Sequence, residues 1–517
     1  SFADTALLAV SSGMDGVELH AAHGYLLQQS FSPWGNQRSD RWGEPLAFAK
    51  EVLDRVRDAV GDDAVVGLRI SADDFLAAER GGLGAQGLQD VAAALVRTGK
   101  LDYLNHSAGS RSAHYAKAIG SYRYDHGHMS SLTRGLRDAI DAAVPVIAVG
   151  RMTSLHEGDQ AVRTGVCDMV AMTRAHIADP DVVAKARAGQ VLGTRPCVGA
   201  NQGCVDRMTS GLPITCFHNP SVGRERGVEL VPAATPQTVL VAGGGPAGLI
   251  AAETAAKLGH RVVLAEAARH VGGRLRYVLE LGRASELYQS VVWLEHQLDA
   301  LGVDIRRETR VDSALIADLA PDAVIVATGA VADDRLLVPT DGSIPVVSTT
   351  AALDMRTQKS FAGQSVLVVD HIGTQEVALT AERFSADGAQ VVWVTPALSP
   401  GWAVGFTLLK DLMQVVSESG AVIETSTGLQ QIRNGRAVLR HVYRRTIDEL
   451  PFDLVIAGRG AVADPQGLVE LASSVGVRAV LAGDVVAPRT AMHAFRDGFD
   501  VARALLSDSP TSESDGV

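Results

Sequence analysis

Two imidazoles and a phenol crowd into His20-Ala-Ala-His23-Gly-Tyr25, directly after the apolar run Gly16-Val17-Glu18-Leu19. The run reads as a short strand passing into a loop. His20 then ends the strand, and His23 and Tyr25 follow within one turn, so the three side chains converge on one mouth. Imidazole N–H groups donate hydrogen bonds to an oxygen that gains negative charge, and a phenol delivers a proton. This is a constellation for redox chemistry on a carbonyl. The alternative is that these are satisfied, half-buried histidines beside a packing tyrosine.

The elements that position them alternate. Strands are expected near 15–20, 64–70, 101–105, 144–149 and 169–172, and helices near 44–60, 86–98, 131–142, 155–164 and 180–188. Five strand and helix units of this kind are the back part of a TIM barrel, which needs eight. Strands one to three are therefore expected upstream of Ser1, which is not an initiator Met, in roughly 100 to 150 further residues. Barrel sites lie at the C-terminal strand ends. Arg69, in Gly67-Leu68-Arg69-Ile70, is expected to point inward, where it needs an electron-rich partner or an ion pair. Gly150-Arg151 and Thr173-Arg174 end the last two strands, where backbone N–H groups and guanidinium forks suit a phosphate.

The segment Gly13 to Gly43, with Ser32-Pro33 and Asn36-Gln37-Arg38-Ser39-Asp40-Arg41-Trp42-Gly43, resembles the FMN-dependent old yellow enzyme superfamily. There the His-x-x-His/Asn-x-Tyr pattern holds the substrate's electron-withdrawing oxygen and supplies a proton. The resemblance implies that His20 and His23 are the oxyanion donors and Tyr25 the acid. It also implies that Arg69 contacts the isoalloxazine and that Gly150, Arg151, Thr173 and Arg174 surround the FMN phosphate. Thr173 departs from the Gly of many relatives. The run Asn36 to Gly43 reads as a brace. A loop from His106 to His128, with Arg111, His114, Tyr122, Tyr124, His126 and His128, is expected to cover the substrate. His126-Gly-His128 lacks a carboxylate or Cys at ligand spacing and is not read as a metal site.

Cys197, Cys204 and Cys216 lie in a segment that resembles the iron-sulfur loop of 2,4-dienoyl-CoA reductase and trimethylamine dehydrogenase. In the reductase pattern C-x2-C-x3-C-x11-C the second thiolate falls on position 200, which is Ala. The alternatives are a cluster with three protein thiolates, either [3Fe-4S] or [4Fe-4S] with a non-Cys fourth ligand, or no cluster. Cys167 reads as a small buried hydrophobe.

After the linker-like Pro232-Ala-Ala-Thr-Pro236, Thr238 to Gly248 reads as strand, glycine-rich turn and helix start, and Glu266 ends the next strand. Gly243, Gly245 and Gly248 permit the turn and the close approach of a pyrophosphate, and the acid meets a ribose. Gly272-Gly273-Arg274, Ala327-Thr328-Gly329 and Gly483-Asp484 resemble the later elements of FAD-binding reductases with two dinucleotide domains. FAD is the expected ligand, with ADP as the alternative. A second strand, Ser365 to Asp370, opens an inserted nicotinamide-type domain whose fingerprint has become His371-Ile-Gly373-Thr-Gln-Glu376. Side chains at that turn are expected to weaken or abolish NAD(P)H binding.

The fold expected is α/β: a partial TIM barrel lacking its N-terminal strands, then two Rossmann-like nucleotide-binding domains. The boundaries are barrel 1–190, Cys loop and linker 191–232, FAD or ADP domain 233–355 and 461–506, inserted domain 356–460 and disordered tail 507–517. Composition agrees with a multidomain enzyme. The 517 residues exceed one core, and 59 carboxylates against 47 Lys and Arg argue against nucleic acid. No apolar run reaches the roughly 18 residues a membrane span needs, and four cysteines form no secreted disulfide pattern, so a cytoplasmic setting is expected. Three functions follow. The first is FMN-dependent reduction of a small α,β-unsaturated carbonyl, with hydride to the β carbon and Tyr25 protonating the α carbon. The second is oxidation of an N-methyl amine with electrons passed to an electron-transfer flavoprotein. The third is a non-catalytic nucleotide-binding remnant. Partners are a small-molecule substrate and either NAD(P)H or that flavoprotein; a homo-oligomer stays open.

Overall fold

The computed structural model describes residues 1–110, 115–333, 335 and 338–506. Arg111, His114 and the tail expected at 507–517 lie outside the described residues. The chain divides into two compact units, Ser1–Gly199 and Ala200–Val517.

The first unit holds one parallel sheet of five strands in sequence order: β1 (Gly16–Ala21), β2 (Val65–Ser71), β3 (Tyr103–Ser107), β4 (Val146–Ala148) and β5 (Met169–Val170). All five match the expected strands. Leu19, Ala21, Leu68, Ile70 and Leu104 share a core with helix residues such as Val52, Leu53, Val56, Leu88 and Leu95. In the helix Ala47–Val60 the buried positions are Ala49, Val52, Leu53 and Val56, one stripe at helical spacing, and each large side chain contributes about 1.5–3 kcal/mol. Because strand side chains alternate, the opposite face carries Glu18, His20, Gly67, Arg69, Tyr103 and Asn105. Gly67 is required there. A Cβ on it would lie 2.0 Å from the Tyr103 ring, which crosses β2 so that its hydroxyl can donate to Glu18 Oε2 at 3.1 Å. Asn105 Nδ2 donates to the same oxygen at 2.9 Å.

In the second unit β6 (Thr238–Ala242), β7 (Arg261–Ala265), β8 (Asp304–Arg306) and β9 (Ala323–Val326) form a parallel sheet with the late strand Arg478–Leu481, in the order late strand, β9, β6, β7, β8. The near-continuous burial of β6 and β9 is that of strands covered on both faces. Two antiparallel linker strands, β10 (Ala330–Ala332) and Ala461–Ala463, lead into and out of a second parallel sheet. That sheet contains β11 (Val346–Ser348), β12 (Ser365–Asp370), β13 (Gln390–Val394) and β14 (Val422–Glu424), with Leu454–Gly458 between β11 and β12. The expected boundary at 355/356 is therefore too late. Val347 already pairs with Ile456, and Ser348 caps the following helix by accepting from Ala351 N at 3.2 Å. A three-residue strand carries no periodicity by which it could be assigned. A three-stranded antiparallel sheet within 427–451 was likewise not foreseen. No helix among the described residues is long and apolar enough to cross a membrane.

Candidate functional site

The end of β1 brings the three expected side chains together. The His20 ring centroid lies 5.1 Å from that of His23 and 5.1 Å from that of Tyr25, and Tyr25 immediately precedes the helix Leu26–Phe31. His23 sits at φ +60°, an uncommon conformation for a residue with a side chain. Neighbouring strand ends hold it there. Its N–H donates to Ser71 Oγ at 3.1 Å, its Nε2 lies 2.6 Å from Ser107 Oγ, and Gly24 N donates to Gln28 Oε1 at 2.7 Å. Sequence reasoning missed Ser71, Ser107 and Gln28. They come from three separate elements, and the only signal was that two of them end strands.

Burial, then Arg69, lowers the His20 imidazole from its ordinary range, against an opposing pull from Glu18. His23 is lowered to about 4 by burial, then by Arg69 and His20. His23 is therefore neutral near pH 7, with one N–H donor and one acceptor. Wholly buried His106 is also lowered to about 4, chiefly by burial, and its Nε2 lies 2.5 Å from Thr133 Oγ1. For a depressed histidine the unfolded chain binds more protons than the folded one. Stability is thus unaffected above the unfolded value near 6.5 and falls as pH drops from there to about 4. The melting midpoint of the parent protein is expected to drop more steeply across this window than that of His106→Gln. Parallel curves would remove His106 from the account.

Arg69 lies between His20 and Asn105 in register, and its Nε is buried without a hydrogen-bond partner among the described residues. A half-buried guanidinium of this kind suits an electron-rich ring edge. After β4, Gly150 has φ +124°, and a Cβ there would lie 2.8 Å from that of Met129. Arg151 is buried and donates to the Tyr124 carbonyl; Arg174 Nη1 donates to the Gly120 carbonyl at 2.7 Å. Thr173 opens the helix Thr173–Ala178. The two forks are thus anchored on one loop, 120–124. Within that loop Tyr122 is buried to 2% exposure, a core residue rather than a substrate cover, and His128 bonds to the Lys117 carbonyl at 3.1 Å. The brace reading of 36–43 has local support: Asn36 Nδ2 donates to the Ser30 and Trp42 carbonyls at 2.6 and 2.7 Å.

The cysteines do not fit a four-thiolate cluster. Ala200, at the second ligand position, is a buried methyl with 5% exposure. No three or more His, Cys, Asp or Glu side chains among the described residues are grouped to hold a metal ion. Cys167 is buried with Met152, Val166 and Met172, as expected.

In the second unit the turn after β6 is built on backbone approach. Gly243 has φ +107°, and a Cβ on Gly248 would lie 1.8 Å from the Gly243 carbonyl oxygen. Gly245 precedes the helix Pro246–Lys257, whose first position is Pro. Glu266 Oε2 accepts from Gly244 N, and Gly272 N donates to Gly244 O, both at 2.7 Å. Gly483 packs on this helix, with a Cβ there only 2.6 Å from that of Ala247. Burial raises the Asp484 carboxyl, which accepts from Arg489 N at 3.0 Å. Arg274 Nη2 donates to both Glu376 oxygens at 3.1 and 3.0 Å, and Thr349 Oγ1 bonds to the same carboxylate. The turn after β12 is different in kind. Asp370 accepts from Ile372 N, Gly373 N and Gly401 N at 3.2, 2.7 and 3.4 Å, and a Cβ on Gly373 would meet the Trp402 ring at 2.5 Å. The Asp370 carboxylate therefore ties this turn to the backbone at Gly401.

Residues 1–192 match the NADH:flavin oxidoreductase / NADH oxidase family, and residues 237–482 match pyridine nucleotide-disulphide oxidoreductase. The chain is 34% identical to N,N-dimethylglycine/sarcosine dehydrogenase of Chromohalobacter salexigens, over 90% of this chain and 68% of that protein. It is 36% identical to NADH oxidase of Thermoanaerobacter brockii, over 63% of this chain and 50% of that protein. It thus spans from half to about two thirds of the length of these relatives. Among solved structures it is similar to histamine dehydrogenase from Rhizobium sp. 4-9, with TM-score 0.90 and 26% identity, covering 99% of this chain and 77% of that one. The chain belongs to the NADH:flavin oxidoreductase / NADH oxidase family, in the multidomain old yellow enzyme branch that adds a pyridine-nucleotide-type domain, and it is a flavin-dependent oxidoreductase.

Proposed function

We propose that the five-stranded sheet is the later part of an eight-stranded barrel whose mouth holds a small substrate by an oxygen. The observation that carries this is the imidazole pair at the end of β1, with neutral His23 beside His20 and the Tyr25 phenol facing His20. The substrate class is an α,β-unsaturated carbonyl. His20 and His23 donate to its oxygen as enolate charge develops, and Tyr25 gives a proton to the α carbon. Arg69 fits the pyrimidine edge of FMN, and Gly150, Arg151, Thr173 and Arg174 are the residues that would hold its phosphate. Bound FMN supplies the hydride. In the second unit, Gly243, Gly245, Gly248 and Glu266 would hold FAD or ADP, with Gly483 and Asp484 beside that turn.

A second reading is favoured by the closed turn at Asp370 and by the amine substrates in the names of two relatives. Here an N-methyl amine gives up hydride, and electrons leave to a protein acceptor rather than arriving from NAD(P)H. A carboxylate on such an amine would use the same imidazole donors. Anaerobic mixing separates the cases. Flavin bleached by NAD(P)H and reoxidised by an enone supports reduction. Bleaching by an N-methyl amine supports oxidation. No response to either leaves only a nucleotide-binding remnant and ends both readings.

We assign no step to an iron-sulfur cluster. Anaerobically purified protein is expected to carry well under one equivalent of acid-labile sulfide, because a cubane wants four thiolates and this loop supplies only Cys197, Cys204 and Cys216, with Ala at 200. Three or four equivalents each of iron and sulfide would overturn that expectation.

A further inference from the structure

We propose that Ser107 is a positioning residue that fixes which nitrogen of His23 carries the proton. The inference rests on the reading of His23 as a donor to substrate oxygen. Ser107 ends β3 and is 1% exposed, and its Oγ lies 2.6 Å from His23 Nε2. That contact is the only hydrogen bond its hydroxyl makes among the described residues. Two arrangements are open. If Nε2 carried the proton and donated to Oγ, the buried Ser107 O–H would be left without an acceptor, at a cost of about 1–3 kcal/mol. If Ser107 donates to Nε2, every donor of the pair is used and the ring proton sits on Nδ1. The second arrangement prevails, so Nδ1–H is the group offered to the substrate.

The backbone is fixed to match. His23 N–H donates to Ser71 Oγ, and Ser71 Oγ in turn lies 3.2 Å from Gln28 Oε1 and 3.3 Å from the Gly109 carbonyl as a donor. Gln28 Oε1 also accepts from Gly24 N. This network holds the ring at φ +60°, with Nε2 turned to β3, so the ring has no freedom to exchange its two nitrogens. Ser107 touches no reacting atom and acts only through His23.

The test uses flavin-loaded enzyme labelled with 15N in its histidines, with His23 assigned by comparison with His23→Asn. Long-range 15N–1H correlation is expected to show a neutral His23 protonated on Nδ1. Ser107→Ala should move it to the Nε2–H form and lower kcat by about tenfold to a hundredfold with a smaller change in KM, and Ser107→Thr should restore both. An Nε2–H signal in the parent enzyme overturns the proposal without recourse to any variant, as does an unchanged tautomer in folded Ser107→Ala. Full activity of His23→Ala in an enzyme whose parent shows the Nδ1–H form would sink the role of His23 in the reaction while upholding the tautomer assignment.

Discussion

Replacing His23 by Ala lowers kcat/KM for the flavin-reducing or flavin-oxidising substrate by about a hundredfold to a thousandfold, the loss typical of removing one oxyanion donor. The change removes a neutral imidazole whose ring centroid is 5.1 Å from that of His20, and it leaves Ser107 facing a void. It also places alanine at φ +60°, so backbone strain and donor loss must be separated. His23→Asn does this, since asparagine tolerates the left-handed region and keeps an N–H donor; it is expected to recover part of the activity. His20→Ala loses a similar amount. The double variant loses less than the product of the two, because both donors serve one oxygen. Rates of anaerobic flavin bleaching or reoxidation, taken as the slope against substrate concentration well below saturation, measure these effects directly. Activities within twofold of the parent in both single variants, with flavin still bound, would remove the imidazole pair from the site.

The parts of this molecule that could be read from its sequence are those whose signal is local. Five strands of the first unit were legible because each is a short apolar run between helical stripes. The histidine pair was legible because both residues follow one strand within a few positions. The glycine turn after β6 was legible because a backbone that must approach another backbone leaves glycine in a fixed spacing. What stayed hidden depends on distant partners. Ser71 and Ser107 look like ordinary strand residues until parallel pairing of β1, β2 and β3 aligns their ends beside His23. Arg274 is a nucleotide-ligand candidate in the sequence, and its bond to Glu376 appears only when the second unit folds. Tyr122 looked like a substrate cover because loop residues usually face solvent; the backbone bond from Tyr122 N to Gly199 O draws it into the core instead. The departure of the second turn from the glycine fingerprint was visible in the sequence, but the bonds from Asp370 to the backbone at Gly401 were not, since the two are far apart in sequence.

The second large effect concerns Gly248. Adding a single methyl group there puts a Cβ 1.8 Å from the carbonyl oxygen of Gly243, a distance no pair of such atoms sustains. Neither partner yields easily. The Gly243 oxygen belongs to a turn whose own close approach, 2.4 Å from a would-be Cβ to the Ala327 oxygen, pins it to β9. Gly248 lies on the helix Pro246–Lys257, whose other side meets Gly498, where a Cβ would lie 2.1 Å from the Ala247 oxygen. The helix must therefore lift away from the end of β6, and its N-terminal N–H groups move off the position a pyrophosphate would take. Overpacking of this kind costs about 1–3 kcal/mol, which at the turn alone weakens nucleotide binding by about tenfold to a hundredfold. Gly259→Ala is the control. It has a positive φ, +88°, which helical Gly248 does not, and nothing lies within 4 Å of its Cβ position, so it carries backbone strain without the clash. Calorimetric titration with ADP and the adenine nucleotide released per chain are expected to fall for Gly248→Ala and to hold for Gly259→Ala. Equal affinity in the two variants would mean that the nucleotide does not sit on the β6 turn.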